Sequence, residues 1–195
     1  MHLRKAALQF TLLLACCALS VPLLAAQEKP SSAAPPAAAA LPPANPADVK
    51  SVDAIMAAVY DVISGPAGKQ RDWNRFRSLF VPGARLIPVV EKKGEPLATR
   101  VISPDEYAQL AGAYFQKNGF YEREAARHSE QYANIMEVFS TYESRHAAAD
   151  PKPFARGINS FQLFFDGSRW WVVTIYWQEE TPENPLPRKY LPSGK

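Results

Sequence analysis

The sequence has few of the residues that bind metals, form disulfides or hold phosphates. Its two cysteines, Cys16 and Cys17, both lie near the start, so a chain cut after them has no thiol. Such a chain has no cysteine nucleophile, thiolate metal site or internal disulfide. The three histidines show no metal-ligand spacing such as His-x-x-x-His, and the nine glycines form neither a Gly-x-Gly-x-x-Gly pattern nor a phosphate loop. We therefore expect no metal and no nucleotide cofactor.

An excess of charge of one sign is also lacking. The 22 basic and 19 acidic side chains give a formal net charge of +3. The two signs alternate along the chain, as in Arg71-Asp72 and in the Glu-Arg-Glu run at 122–124. Because no basic stripe stands out, nucleic acid is not a predicted partner.

The first 26 residues have the layout of a secretory signal. A basic start is followed by an apolar run over residues 6–24 and by small residues at 25 and 26. We predict cleavage near Ala26 and export to the periplasm or the exterior. Two alternatives stay open: an uncleaved membrane anchor, since a span needs roughly 20 apolar residues, and lipidation of Cys16, which ends a Leu-Leu-Ala-Cys stretch resembling a lipobox. A membrane is an expected partner only through one of these two.

Composition divides the rest of the chain into three parts. Residues 27–47 are rich in alanine and proline, which predicts a disordered tether. Residues 48–180 form the predicted single domain, because a domain of about 100–150 residues already buries a good core. The proline-rich tail at 181–195 is expected to lie outside the core or to drape over it.

Hydrophobic spacing predicts three helices in the first half of this domain. Apolar residues recur at three- and four-residue steps from 52 to 63, after a cap at Ser51, and again from 73 to 80, where Pro82-Gly83 should end the second helix. Strands are predicted at 84–90 and 99–102. The third helix begins at Pro104, which stands at the first helical position before two acids.

The second half is predicted to be β-structure, with strands at 120–132, 135–144, 157–165 and 170–177. An Asp-Gly turn at 166–167 joins the last two strands as a hairpin. These strands are apolar at nearly every position, whereas a sheet with one wet face alternates. We therefore expect helices on one face and a second subunit or another surface on the other, and a homodimer through the sheet is the economical proposal.

This order of elements resembles the nuclear transport factor 2-like superfamily, also called SnoaL-like or cystatin-like α+β cones. The segments that carry the resemblance are the helix pair at 52–80, NIMEVFSTYE at 134–143, RGINSFQ at 156–162 and DGSRWW at 166–171. The sequence is similar to exported bacterial members of unknown function. The resemblance implies an α+β fold in which a strongly bent antiparallel sheet wraps about three helices and leaves a conical pocket. Members use that pocket for isomerisation, dehydration, epoxide hydrolysis, polyketide cyclisation or binding alone, so function must be argued from the site.

Two residues are candidates for catalysis in such a pocket. His128 is a candidate acid or base, although its charged neighbours suit an exposed position equally well. Tyr142 could donate a hydrogen bond to a carbonyl or enolate, as in ketosteroid isomerase-like relatives, whose catalytic aspartate has no counterpart here. The alternative for Tyr142 is a core aromatic residue with a satisfied hydroxyl.

Three further residues are candidate ligand contacts. Arg156 and Asn159 enter the same strand from opposite faces, and Arg156 could instead pair with Glu143. By strand parity, Trp177 shares one face with Trp171, while Trp170 and Tyr176 share the other.

We consider three functions. The first is binding of a small apolar molecule in the cone, lined by Tyr142, Asn159 and Trp177. The second is a cofactor-independent lyase or isomerase that uses His128 or Tyr142, and the third is a structural dimerisation module. A cavity with a polar residue of shifted pKa favours the enzyme, a dry apolar cavity the binding protein, and a filled one the module.

Overall fold

The computed structural model describes residues 41–90 and 94–192, so the predicted signal and most of the tether lie outside the described residues. The helices are α1 (Pro46–Val49), α2 (Val52–Ile63), α3 (Trp73–Ser78) and α4 (Pro104–Phe115), with a 3-10 turn at Arg188–Tyr190. The strands are β1 (Phe80–Val90), β2 (Ala98–Thr99), β3 (Tyr121–Tyr132), β4 (Ile135–Arg145), β5 (Ala155–Phe165) and β6 (Trp170–Glu179). In this part of the chain, no helix has the length and apolar character needed to cross a membrane. The predicted α+β class is confirmed.

The two long helices begin where the capping residues predict. The Ser51 hydroxyl accepts the backbone N–H of Ala54 at the start of α2. At the start of α4, the Ser103 hydroxyl accepts the N–H of Glu106, whose carboxylate in turn accepts the N–H of Ser103. This capping box satisfies two otherwise unpaired donors of the first turn.

The second helix is shorter than predicted. It ends at Ser78, and β1 begins at Phe80 and passes through Pro82 and Gly83, where we had placed the end of the helix. Phe80 is drawn into the sheet because it pairs with Val172. A bulge after Phe80, with Gly83 at φ 77°, absorbs the Pro-Gly pair.

Two other predicted boundaries also move. The predicted strand at 99–102 is only Ala98–Thr99, and Ile102 joins the sheet through a single bridge to Leu86. The Asn45 side chain caps α1 by accepting the N–H of Ala47. Helix therefore begins at Pro46, inside the range that composition assigned to the tether.

The six strands form one sheet in the order β2-β1-β6-β5-β4-β3. All neighbours are antiparallel except β1 and β6, which run parallel. Bulges interrupt β1, β3 and the β5–β6 pairing, and each bulge bends its strand. The curled sheet packs its inner face on the helices, where the core includes Ile55 and Val59 of α2 and Phe161 of β5.

The C-terminal tail lies on the outer face of the sheet. The Thr141 hydroxyl donates to the backbone carbonyl of Tyr190 at 2.5 Å. The Tyr190 ring lies 5.6 Å from the ring of Phe139 and 5.3 Å from that of His128. At this end of the sheet, the chain itself thus provides the cover that we expected from a second subunit.

A buried arginine fixes the loop after α2. The Arg71 guanidinium donates to the backbone carbonyls of Ile63, Gly65, Pro66 and Lys69 at 2.6–3.2 Å. These carbonyls include the end of α2, where the helix dipole is negative, so the cation is favourably placed. The loop is therefore held beside the end of the sheet at which the cavity described next is located.

Candidate functional site

A cavity of about 180 Å³ lies between the inner face of the sheet and helices α2 and α4. Most of its lining is apolar, and the polar side chains converge at one end, near the start of β3. The lining residues used below are Tyr107, Glu122, Tyr142, Ser144, Asn159, Trp177 and Glu179.

Glu122 is one of the two acidic residues that line this cavity. It stands opposite Ser144 in the β3–β4 ladder. The Ser144 hydroxyl donates to Oε2 at 2.7 Å, and the Asn159 amide nitrogen donates to Oε1 at 3.4 Å. Burial raises the pKa of Glu122 to about 7 from the ordinary 4.5, although these two hydrogen bonds favour the charged form. Near neutral pH the carboxyl group therefore both accepts and releases protons, as a general acid or base must.

Two tyrosine hydroxyls share the cavity with Glu122. Tyr107 comes from α4 and Tyr142 from β4, and within the described chain neither hydroxyl has a hydrogen-bonding partner. Burial, together with the negative charge of Glu122, raises the pKa of both phenols. Both side chains thus stay protonated and can donate to an oxygen atom in the cavity.

Gly157 makes room for the Tyr142 ring. It lies opposite Tyr142 in the β4–β5 ladder. A β-carbon at this position would lie 2.6 Å from the Tyr142 hydroxyl and 2.2 Å from the backbone oxygen of Gln178. Only glycine therefore allows the hydroxyl to reach the cavity along this path.

The structure brings three of the predicted contact residues together. Tyr142, Asn159 and Trp177 all line the cavity. The Trp177 ring stands edge-on to that of Tyr107, with centroids 6.5 Å apart.

The predicted pairing of tryptophans by face is wrong. Trp170 is buried in the core on the inner face, where Trp177 packs as well. Trp171 points to the outer face, where its indole N–H donates to Asp166 at 2.6 Å. The reason is the bulge at residue 173 of β6, which reverses the alternation of side chains between Trp171 and Trp177.

Arg156 does not reach the cavity. It lies on the outer face, and its guanidinium pairs with Glu180 at 2.8 Å. The alternative pairing with Glu143, which the sequence suggested, is therefore wrong. Glu143 stands opposite Arg156 in the ladder, but its carboxylate is taken by Arg123 and Arg145.

His128 is also on the outer face. It pairs with Phe139 across the β3–β4 ladder, and its Nε2 contacts the backbone carbonyl of Lys189 in the tail. The sheet separates it from Glu122, so its placement gives a catalytic role in the cavity no support.

The charge of the cavity is negative. Two carboxyl groups line it, those of Glu122 and Glu179, and its lining among the described residues includes no lysine, arginine or histidine. No cluster of three histidine, cysteine or acidic side chains suited to a metal occurs in residues 41–90 or 94–192. The site thus offers hydrogen bonds and a base but no counter-ion for an anion.

A larger groove, of about 690 Å³, lies between α2 and β3, and Tyr60 and Glu122 line both this groove and the cavity. The arginines of the groove are already engaged, Arg127 by Asp53 and Glu124, and Arg123 and Arg145 by Glu143. Because these charges satisfy one another and the groove is open to solvent, we place the chemistry on the side of Glu122 that faces the smaller, mainly apolar cavity.

Sequence reasoning missed Glu122 and Tyr107. The sequence pattern showed Glu122 only as one of the charges that alternate in sign, and it indicated no role for Tyr107. The available signal was the alternation of β3, which places Glu122 and Glu124 on the same face of the sheet as Ser144 and Ser140.

Comparisons with known proteins support the fold. No family model matches the chain, and no curated protein matches its sequence. An uncharacterised protein with a cystatin-like fold from Caulobacter vibrioides superposes with a TM-score of 0.51 at 11% identity, over 69% of this chain and 90% of that one. Nuclear transport factor 2-like proteins of unknown function are also similar, from Silicibacter pomeroyi (TM-score 0.46, 11% identity, 67% and 94% of the two chains) and Methylobacillus flagellatus (0.42, 17%, 67% and 95%). The predicted cystatin-like α+β cone is thus confirmed as the fold.

Proposed function

We propose that this domain catalyses cofactor-independent proton transfer on a small neutral carbonyl compound, with Glu122 as the acid–base group. The observation that carries the proposal is a half-buried carboxyl group that faces a mainly apolar cavity beside two tyrosine hydroxyls. Burial raises the pKa of this carboxyl group to about 7. Environments that shift a carboxyl pKa toward neutrality are typical of catalytic acids and bases.

The proposed reaction begins when the Glu122 carboxylate removes a proton from the carbon next to the carbonyl group. The electron pair of that C–H bond moves into the new C=C bond, and the carbonyl oxygen becomes an enolate oxygen. Tyr107 and Tyr142 are the available donors to that oxygen, since their hydroxyls are free and protonated. Protonated Glu122 then returns the proton to the same carbon or to another, and return to another completes an isomerisation.

Size and charge define the substrate class. The cavity volume of about 180 Å³ is close to the roughly 150 Å³ that accommodates benzene in an engineered cavity. A compound with a single six-membered ring therefore fits. An anionic substrate would meet two carboxyl groups and, among residues 41–90 and 94–192, no cationic side chain on the lining, so the preferred substrate is uncharged.

Binding without reaction is the second candidate, because the rest of the lining is apolar. A site that only holds an apolar molecule gains nothing from a desolvated carboxyl group, whose burial is costly. A purely structural module has no need of open space in its core, which further supports a role for a ligand.

Export and dimerisation are part of the proposal on separate grounds. The signal-like N-terminus supports export to the periplasm or beyond. Tyr132, Ile135 and Phe164 stand opposite one another on neighbouring strands and are exposed, away from the tail. This apolar row supports a second copy as a partner at that end of the outer face.

The test is exchange of α-protons with D2O, followed by proton NMR with cyclohexanone as the probe. We expect wild-type protein to accelerate exchange and Glu122→Gln to lose at least about 100-fold of that acceleration. Glu143→Gln is the matched control, because Glu143 lies on the outer face in an ion pair. The anion 4-oxocyclohexanecarboxylate should exchange no faster than in buffer.

Two results would refute the proposal. One is equal exchange by the wild type and Glu122→Gln, which would remove the role of the base. The other is faster exchange of the anion than of cyclohexanone, which would contradict the substrate class.

A further inference from the structure

A chain of hydrogen bonds connects the cavity with an ion pair beyond it. The Asn159 amide nitrogen lies 3.2 Å from the Tyr60 hydroxyl, which lies 2.7 Å from the Ser140 hydroxyl. Ser140 donates to Glu124 Oε2 at 2.5 Å, and Glu124 pairs with Arg127 at 2.7 Å. The three inner members of the chain are buried. None of these contacts has a part in the proton transfer proposed above.

The donors and acceptors in this series of hydrogen bonds can be arranged in only one direction. A carboxylate paired with Arg127 only accepts, so the single hydroxyl hydrogen of Ser140 is committed to Glu124. Ser140 must then accept from Tyr60, which uses the Tyr60 hydrogen. The Tyr60 oxygen is left to accept, and Asn159 therefore has to present its NH2 group rather than its carbonyl oxygen.

The same NH2 group faces Glu122 Oε1 at 3.4 Å. If Glu122 takes up a proton on Oε1, the Asn159 amide could accept that proton's hydrogen bond only by turning over. Turning the amide would set the Asn159 carbonyl oxygen against the Tyr60 oxygen, which has no hydrogen left to give. The chain thus stabilises Glu122 in its ionised form.

We propose that Ser140 and Tyr60, anchored by Glu124, are positioning residues that hold the Asn159 amide as a donor to Glu122 and so set the proton affinity of this base. The inference rests on the proposed function, which makes Glu122 a base, but the hydrogen bonds themselves do not depend on any substrate. The proton affinity of Glu122 would then depend on a residue outside the cavity, because Ser140 does not line it.

Further polar groups share the cavity with Glu122, and a change at Ser140 leaves them in place. They are Tyr107 from α4, Tyr142 and Ser144 from β4, and the second carboxyl group of the cavity, Glu179 from β6.

The test is a carbon-13 NMR titration of the Glu122 side-chain carboxyl group, whose signal is identified by its absence in Glu122→Gln. We expect the midpoint to rise by about one pH unit in Ser140→Ala and in Tyr60→Phe, the shift equivalent to one ordinary hydrogen bond. Ser78→Ala is the matched control. Ser78 is also a buried serine, but it donates to the carbonyl of Arg75 in α3 and takes no part in this series of hydrogen bonds. Its midpoint should equal that of the wild type.

An unchanged midpoint in Ser140→Ala would overturn the inference, and so would an equal rise in Ser78→Ala. If Ser140→Ala does not fold, Tyr60→Phe decides, since it keeps the ring and removes only the hydroxyl. A wild-type midpoint near 4.5 contradicts the proposed function, whereas the difference between variants still tests the positioning chain.

Discussion

Replacing Glu122 by glutamine should make the protein more stable at neutral and alkaline pH. In the folded state burial raises the pKa of Glu122 from 4.5 to about 7, a difference that corresponds to about 3 kcal/mol. The neutral carboxyl group stabilises the folded state fully below pH 4.5, and this stabilisation is lost progressively as the pH rises from 4.5 through 7. Glutamine resembles the neutral acid in size and never ionises, so it avoids that loss.

The assay is urea unfolding of both proteins at several values between pH 4 and pH 9. The free energy of unfolding of Glu122→Gln should exceed that of the wild type by about 3 kcal/mol at pH 9, and the two should approach each other near pH 4. Glu143→Gln should change stability with the opposite dependence on pH. Although burial opposes it, hydrogen bonds from Arg145 and Arg123 lower the pKa of Glu143, so its stabilisation is present above the ordinary pKa and lost in acid.

Two outcomes would refute this prediction. In one, Glu122→Gln is no more stable than the wild type at pH 9, and in the other, the difference between the two proteins is the same at every pH. Either result would mean that the carboxyl group is not desolvated in the folded state.

Three further changes test other parts of the structure by thermal or urea unfolding. Gly157→Ala should destabilise the fold by about 3 kcal/mol, because the new methyl group meets the backbone oxygen of Gln178 at 2.2 Å; an unchanged midpoint would contradict this packing. Ser103→Ala should cost about 1 kcal/mol through the lost helix cap, whereas Ser103→Asp should restore it. Tyr190→Ala should cost about 1 kcal/mol and speed amide exchange in the tail, since it removes the aromatic contact with Phe139; equal exchange rates would show that the tail is not held there.

Much of the fold was predictable from local patterns. Ser51 and Ser103 mark helix starts by their own chemistry, and the Asp-Gly pair at 166–167 marks the hairpin, with Gly167 at φ 97°. Pro82-Gly83 misled the prediction because pairing of Phe80 with a distant strand outweighed the local signal for a turn.

The site was predictable only in part. Tyr142 and Asn159 were predicted to line the pocket, and both line the cavity. Alternation was wrong in placing Trp171 on the same face as Trp177, because a bulge adds a residue that no local pattern indicates. Glu122 was missed because its partial burial depends on α2 packing against the strand, which is a property of the tertiary structure.

The central claim is that Glu122 is a desolvated carboxyl group in the cavity of the cone. Its most direct test is the carbon-13 titration of that carboxyl in the wild-type protein between pH 3 and pH 9. We predict a midpoint of about 7. A midpoint near 4.5 would contradict the account, because the carboxyl would then be as well solvated as one on the surface.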